Sequence, residues 1–270
     1  MAITTLDGVI AGCEPPQFFF KALSGALVAG RPYTPFYAAG IPGAAAAPTP
    51  GLSGVALTTS YPGQIPFTNP SAGASSYLAR FVGVSSAQVG QLMLVDRLWH
   101  NSGINITSTG SQAVNSVTFP ARDENGTTAG AGVLLGVEVS AATGSGTPTI
   151  TVTYTNSAGA GSKTGTNIIG TNSTSTIGTF YPIGLAAGDT GVQSVQSLQL
   201  SATWTSGTIH LVAYRVLSVI QLGGQGISTA VDVVTGGMPQ MYDNTVPFLI
   251  FVPSTTTSTS LQGSMTVTQG

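Results

Sequence analysis

Charge is what this 270-residue sequence has least of: seven Lys or Arg and nine Asp or Glu, 6% of the chain, for a formal net charge of -2. An average soluble domain carries roughly 25%. That scarcity excludes electrostatic recognition of nucleic acid, which needs a basic patch to displace counterions. It also excludes a polybasic membrane-surface protein. Cysteine is nearly absent. Cys13 stands alone, so no internal disulfide supports the fold, and it reads as a small buried or interface residue. Two histidines, His100 and His210, with Cys13 far away in sequence, fall short of a zinc ligand set. Long apolar runs are missing too. The best are residues 130–139, 209–222 and 246–252, the second interrupted by His210, Arg215 and Ser218, whereas a spanning helix needs about 20 residues. Aromatics do not recur in pairs at strand ends as they do in membrane β-barrels. Met1-Ala2-Ile3-Thr4-Thr5 lacks the basic start of a secretion signal, and Asp7 and Glu14 break the first apolar stretch. The expectation is a protein made in the cytoplasm with no membrane partner.

What is there instead is hydroxyl and glycine: 37 Thr, 28 Ser and 36 Gly, beside a 42% hydrophobic content that is ample for a core. Ten of the sixteen prolines fall between Pro15 and Pro70, and no charge occurs between Arg31 and Arg80. Proline fixes φ and pushes its predecessor to extended conformations. Residues 1–75 are therefore expected to form an extended N-terminal arm, with one short helix near residues 20–30 stopped by Gly30 and Pro32. The arm carries Phe18, Phe19, Phe20, Tyr33, Phe36 and Tyr37, which need a surface to lie against, either the chain's own domain or a neighbouring subunit.

From about Ser76 the period changes to two. Thr149 to Thr155 alternates Thr with Ile, Val and Tyr, a Gly-rich turn follows, and residues 163–169 return as the paired strand. Residues 92–98, 114–119, 133–140, 192–204, 208–221, 230–234, 246–252 and 263–268 read as further strands. Short strands separated by Gly, Asn or Ser predict an all-β fold, an antiparallel β-sandwich or jelly-roll-like domain over residues 76–270, with a division near 140 as the variant. Thr-rich strands with few Lys or Glu leave edges that pair with other chains unless something covers them.

Motifs for chemistry are weak. Gly159 to Thr164 lacks the Gly before Lys163 and the following helix that a phosphate loop needs. Arg122-Asp123-Glu124-Asn125-Gly126 is the densest charge cluster, without the ligand ladder of a calcium loop; it predicts a solvated turn with Arg122 paired to a carboxylate. Asp96 and His100, four apart on a strand, share a face but are out of bonding reach, and no Gly-x-Ser-x-Gly elbow exists. His210 reads as a satisfied sheet histidine. Arg97 is expected to anchor a carboxylate or carbonyls at a fold junction or subunit contact. Trp99, Trp204 and Tyr242-Asp243-Asn244 are the candidates for contacting a glycan. No catalytic, cofactor-binding or metal-binding residue is predicted.

Two stretches resemble a known class. One runs from Thr5-Leu6-Asp7-Gly8 through Ala29-Gly30-Arg31-Pro32 to Ala39-Gly40-Ile41-Pro42-Gly43. The other runs from Asp96-Arg97-Leu98-Trp99-His100-Asn101 through Pro120-Ala121-Arg122-Asp123-Glu124-Asn125-Gly126 to Tyr154-Thr155-Asn156-Ser157-Ala158-Gly159. Together they resemble virion structural proteins encoded among the head genes of tailed bacteriophages. The resemblance covers about half the chain and not the part after Ile168. It implies a capsid decoration (cement) protein: a β-sandwich or jelly roll bound as homotrimers to the major capsid protein, on the virion surface. Phe18, Phe19, Phe20, Tyr33, Phe36, Tyr37, Arg97 and Trp99 are the expected inter-subunit contacts. The alternatives are a glycan- or receptor-binding head fibre or tail protein, and a tail-tube or connector component.

Overall fold

The computed structural model describes residues 3–23, 25–87 and 89–270; Met1, Ala2, Ser24 and Gln88 lie outside it. Among the described residues the one helix, α1 (Leu6–Ala11), is capped at Thr5, whose hydroxyl accepts from the Gly8 N–H. Among the described residues the strands are β1 (Gln17–Leu23), β2 (Gly40–Ile41), β3 (Val55–Ala56), β4 (Ser76–Ser85), β5 (Gly90–His100), β6 (Gln112–Ala113), β7 (Val133–Ala141), β8 (Ile150–Asn156), β9 (Lys163–Asn167), β10 (Phe180–Gly184), β11 (Val192–Leu200), β12 (Thr208–Leu222), β13 (Thr229–Asp232), β14 (Gln240–Met241), β15 (Pro247–Pro253) and β16 (Thr259–Gln269). Every pairing among them is antiparallel. A six-stranded sheet runs β13-β4-β16-β1-β2, with β14 on β4. A ten-stranded sheet runs β15-β5-β12-β7-β10-β9-β8-β11-β6, with β3 on β5. The protein is an all-β antiparallel sandwich.

The alternation in β8 works as the sequence predicts. Ile150, Val152 and Tyr154 are buried, the intervening threonines are not, and the strand returns through a turn as β9, with Tyr154 opposite Lys163. The run at 114–119 is not a strand. Asn115 takes a left-handed φ of 43° and breaks the extended backbone, although the N–H groups of Val114, Asn115 and Ser116 still bond to Gln196 and Val195 carbonyls on the edge of β11. Among the described residues no helix forms near 20–30: Phe20–Leu23 belong to β1, where Phe19, Lys21 and Leu23 point inward.

Two apolar cores result. One is enclosed by the ten-stranded sheet curling on itself, with side chains from β5, β7, β8, β10, β11 and β12. The other lies between the sheets and combines Phe19, Phe81, Leu261 and Met265 with Leu92, Leu94, Ile220 and Phe251. β5 and β12 are long enough to serve both: Leu92 and Leu94 face the second core, Leu98 and Trp99 the first. A third cluster, including Phe36, Val95, Val212 and Phe248, covers the opposite face of β5 and β12.

The proline-rich segment is built into this body. β1 pairs with β16 along its whole length. Further on, the Gly30, Tyr33 and Ile65 N–H groups donate to Pro253, Phe251 and Pro247 carbonyls at 2.8, 2.8 and 2.9 Å along the outer edge of β15. Tyr33 bridges both Phe251 and Thr179, and Phe180 N–H donates to the Pro32 carbonyl at 2.9 Å. The arm thus ties the end of the large sheet to the start of β10. Proline suits this task because it holds an extended φ and still offers its carbonyl. Tyr33→Ala should lower unfolding free energy by about 3 kcal/mol, whereas Phe18→Ala, at an exposed position of the same segment, should change it by less than about 0.5 kcal/mol. Urea unfolding distinguishes them. Equally small losses would mean that the arm does not close the sheet.

Candidate functional site

Successive strand residues point to opposite faces, and β5 uses this to place two ions back to back. On one face Asp96 lies at the seam between the two cores. Its carboxylate accepts from Arg122 Nε at 3.0 Å and Nη2 at 3.2 Å, and from the Val246 N–H at 2.8 Å. Arg122 also donates to the Leu57 carbonyl at 2.8 Å and the Arg97 carbonyl at 3.1 Å. On the other face Arg97 grips Glu138 of β7 with two bonds of 3.0 and 2.7 Å, and Tyr37 Oη donates to the same carboxylate at 2.7 Å. The Arg97 guanidinium lies 4.4 Å from the Phe36 ring centroid and 5.3 Å from that of Phe248. Asp96, Arg97 and Glu138 are fully buried. Bidentate, desolvated pairs of this kind are strong only while complete, and removal of one partner costs about 3–5 kcal/mol.

A β-bulge brings His100 into the cluster. Trp99 pairs with Ala213 but Arg97 with Tyr214, leaving Leu98 as the extra residue. The bulge reverses the alternation, so His100 joins Arg97 and not Asp96, and Arg97 Nε donates to His100 Nδ1 at 3.2 Å. The expected common face of Asp96 and His100 is corrected by that one residue. His100 is therefore neutral, with its proton on Nε2. Burial, then the Arg97 charge, then His210, pull its pKa down to about 2. His210 is satisfied: its Nδ1 donates to the Asn101 carbonyl at 2.8 Å and its Nε2 accepts from Ser140 Oγ at 2.6 Å. Burial lowers its pKa as well. Burial also pulls Arg97 down, but Glu138 and Tyr37 beside it hold it above its usual value. Burial, reinforced by Glu138, raises the Tyr37 hydroxyl well above its usual value. The tyrosine stays a donor.

Eight of the sixteen ionic residues are buried: Lys21, Arg31, Asp96, Arg97, Arg122, Asp123, Glu138 and Arg215. Five of the seven cations are among them, leaving Arg80 and Lys163 at the surface; three of the nine acids are among them, leaving six. Arg122 and Asp123 are not the solvated turn that composition predicts. The Asp123 carboxylate accepts from the Asn125, Thr127, Gly130 and Ala131 N–H groups and from the Thr127 hydroxyl, which closes the loop around it. Among the described residues Lys21 has no carboxylate partner. It donates to the Ala38 and Gly43 carbonyls at 3.1 Å each, and burial lowers its pKa to about 8. Below that pH the buried ammonium opposes folding.

The expected contact residues divide sharply. Phe19, Tyr33, Phe36, Arg97 and Trp99 are buried in the chain's own body, so the expectation of contact with a neighbour is corrected for these five. Tyr37 is half-buried, with its hydroxyl on Glu138. Phe18 and Phe20 remain, 50% and 41% exposed on the outer face of β1, with Ile41 opposite Phe20 and also exposed. Both indoles are inside: Trp99 donates to the Ser53 carbonyl and Trp204 to the Asn172 carbonyl, each at 3.0 Å. Gly54, at φ +70°, lies against the Trp99 indole where a Cβ would clash. Of the glycan candidates only Tyr242-Asp243-Asn244 reaches the surface, at a cavity of about 440 Å³. Cys13 is exposed, not buried. Among the described residues no group of three or more His, Cys, Asp or Glu is placed to hold a metal ion, and no helix is long and apolar enough to cross a membrane.

Two residues here escaped sequence reasoning. Glu138, alone among Leu134, Leu135, Val137 and Val139, carries the signal of a buried ion awaiting a partner. Lys21 does so among three phenylalanines. An unfolded histidine takes up its proton near pH 6.5, whereas His100 resists until about 2. Stability should therefore fall as pH drops below about 6.5. His100→Asn should flatten that decline in urea midpoints measured from pH 7 to pH 5, and an unchanged slope would contradict the neutral assignment.

No family model matches the sequence, and no curated protein matches it. Among solved structures the chain is similar to the infectious bursal disease virus VP2 subviral particle at 8% identity, over 94% of this chain and 80% of that one, with a TM-score of 0.20. A likeness at that score carries no argument about fold or role.

Proposed function

We propose that this protein is a non-enzymatic structural component of a virion, decorating and stabilising a tailed-phage capsid from its outer surface. Its partners are the major capsid protein and its own copies, as a homotrimer. The observation that carries this reading is where the charge goes. Half of an already small set of ions is inside the molecule, so most of the surface is hydroxyl, amide and apolar carbon. Free soluble proteins keep edges and patches apart with surface charge. A subunit whose surface becomes interface has no such need, and the compositional signal of interfaces is depletion of charge with aromatic enrichment. Phe18, Phe20 and Ile41 supply the aromatic and aliphatic part on one sheet face. The resemblance of residues 5–43 and 96–159 to virion proteins of tailed phages supports this reading. Burial of such a face contributes about 25 cal/mol per Å² before the entropy of association is deducted.

Light scattering of the full chain should give a trimer. Phe18→Ser with Phe20→Ser should lower its assembly and its binding to capsids by at least about tenfold, with urea stability changed by less than about 1 kcal/mol. A stable wild-type monomer, together with capsids that survive heating equally well without the protein, would overturn the reading.

A further inference from the structure

We propose that residues 58–64, the loop carrying Tyr61, form a pH-operated lid over His100 that lifts when acid places a second proton on the histidine. This inference does not rest on the virion reading. In the closed structure the geometry at His100 has no room for that proton. Arg97 Nε and Nη2 both point at Nδ1, at 3.2 and 3.1 Å. A guanidinium only donates, so Nδ1 accepts and the one ring proton sits on Nε2. A proton added at Nδ1 would set donor against donor and cation against cation. Nε2 is buried and has no hydrogen-bond partner among the described residues, so the neutral ring is itself incompletely satisfied. The closed seat therefore holds a base that water would both protonate and hydrogen-bond.

The lid is one short piece of chain. His100 is fully buried, whereas Tyr61, whose ring packs T-shaped on it at 4.8 Å, is half-buried, so this loop stands between the histidine and water. Its ends are clamped. The Leu57 N–H donates to the Leu98 carbonyl at 2.9 Å, Arg122 holds the Leu57 carbonyl, and the Ile65 N–H donates to the Pro247 carbonyl at 2.9 Å. Between these clamps, among the described residues, 58–64 bonds only to itself. The Tyr61 N–H donates to the Thr58 carbonyl, the Gln64 amide donates to the Thr59 carbonyl, and the Thr58 and Ser60 hydroxyls share a bond. Contact alone seats the loop: Tyr61 stacks on Phe36 at 6.0 Å and Gly63 lies against Ala45. Lifting it breaks no hydrogen bond to either sheet, which is the character of a segment that opens locally at low cost. The charged and titratable groups around His100 are Arg97 on its own strand, Glu138 on β7, His210 on β12, and Tyr37 and Tyr61 from the proline-rich segment. Arg97 and His210 oppose the added proton, Glu138 is engaged by Arg97 and Tyr37, and burial keeps both tyrosines protonated.

With the lid open, His100 returns to the ordinary histidine value of about 6.5. Each pH unit below that raises the ratio of open to closed about tenfold, because only the open form takes the proton. A lid open about 1% of the time at neutral pH then gives His100 a midpoint of about pH 4.5. NMR of the folded full chain tests this. The His100 ring signal, assigned by its loss in His100→Asn, should titrate between about pH 4 and 5 while the core methyl signals of Val137 and Leu211 hold. The Gly63 amide should shift with the same midpoint and lose that step in His100→Asn. Tyr61→Ala should raise the open fraction about tenfold and move the midpoint up by about one pH unit. Three results would overturn the proposal: a His100 that stays neutral until the core signals collapse, a midpoint unmoved by Tyr61→Ala, or a Gly63 step that persists in His100→Asn. The last would assign the opening to Glu138.

Discussion

The structure depends on a dipeptide. Asp96 and Arg97, adjacent on β5, send opposite charges through opposite faces of the same strand. Each is completed by a residue from a distant part of the chain, Arg122 for one and Glu138 for the other. The first pair holds the seam where the sandwich core meets the curled core; the second holds β5 to β7 across β12 and brings down the arm through Tyr37 and Phe36. Apolar contact is non-directional and would tolerate several relative placements of these layers. Bidentate ion pairs with no water to replace them tolerate one.

This placement explains a surface otherwise hard to account for. The chain has few ions, and half of them are buried inside it. What faces outward is hydroxyl, glycine and exposed apolar groups such as Phe18, Phe20 and Ile41. Edge protection follows the same economy. The outer edge of β15 is covered by the chain's own proline-rich segment through Gly30, Tyr33 and Ile65, where a more highly charged protein would place lysines.

Legibility in the sequence followed local pattern and failed where geometry was non-local. β8 and β9 were readable because Thr149 to Thr155 alternates without interruption and a glycine-rich turn follows. β1 was not: three successive phenylalanines hide the alternation, and the inward position after Phe20 is taken by Lys21, whose partners Ala38 and Gly43 come from the folded-back arm. β10 was hidden by Pro182. At the candidate sites, Asp243 and Asn244 could be singled out as polar neighbours of Tyr242. The Arg97–Glu138 pair spans 41 residues. Only the oddity of each ion in its apolar surroundings announced it.

A double-mutant cycle on that pair tests the account most directly, by urea unfolding of Arg97→Met, Glu138→Leu and the double variant. Each single substitution strands a buried charge and should lower stability by about 3–5 kcal/mol, whereas the double variant, which strands none, should lose no more than either single. Losses that simply add would show two independent side chains and contradict a fold locked by back-to-back ion pairs.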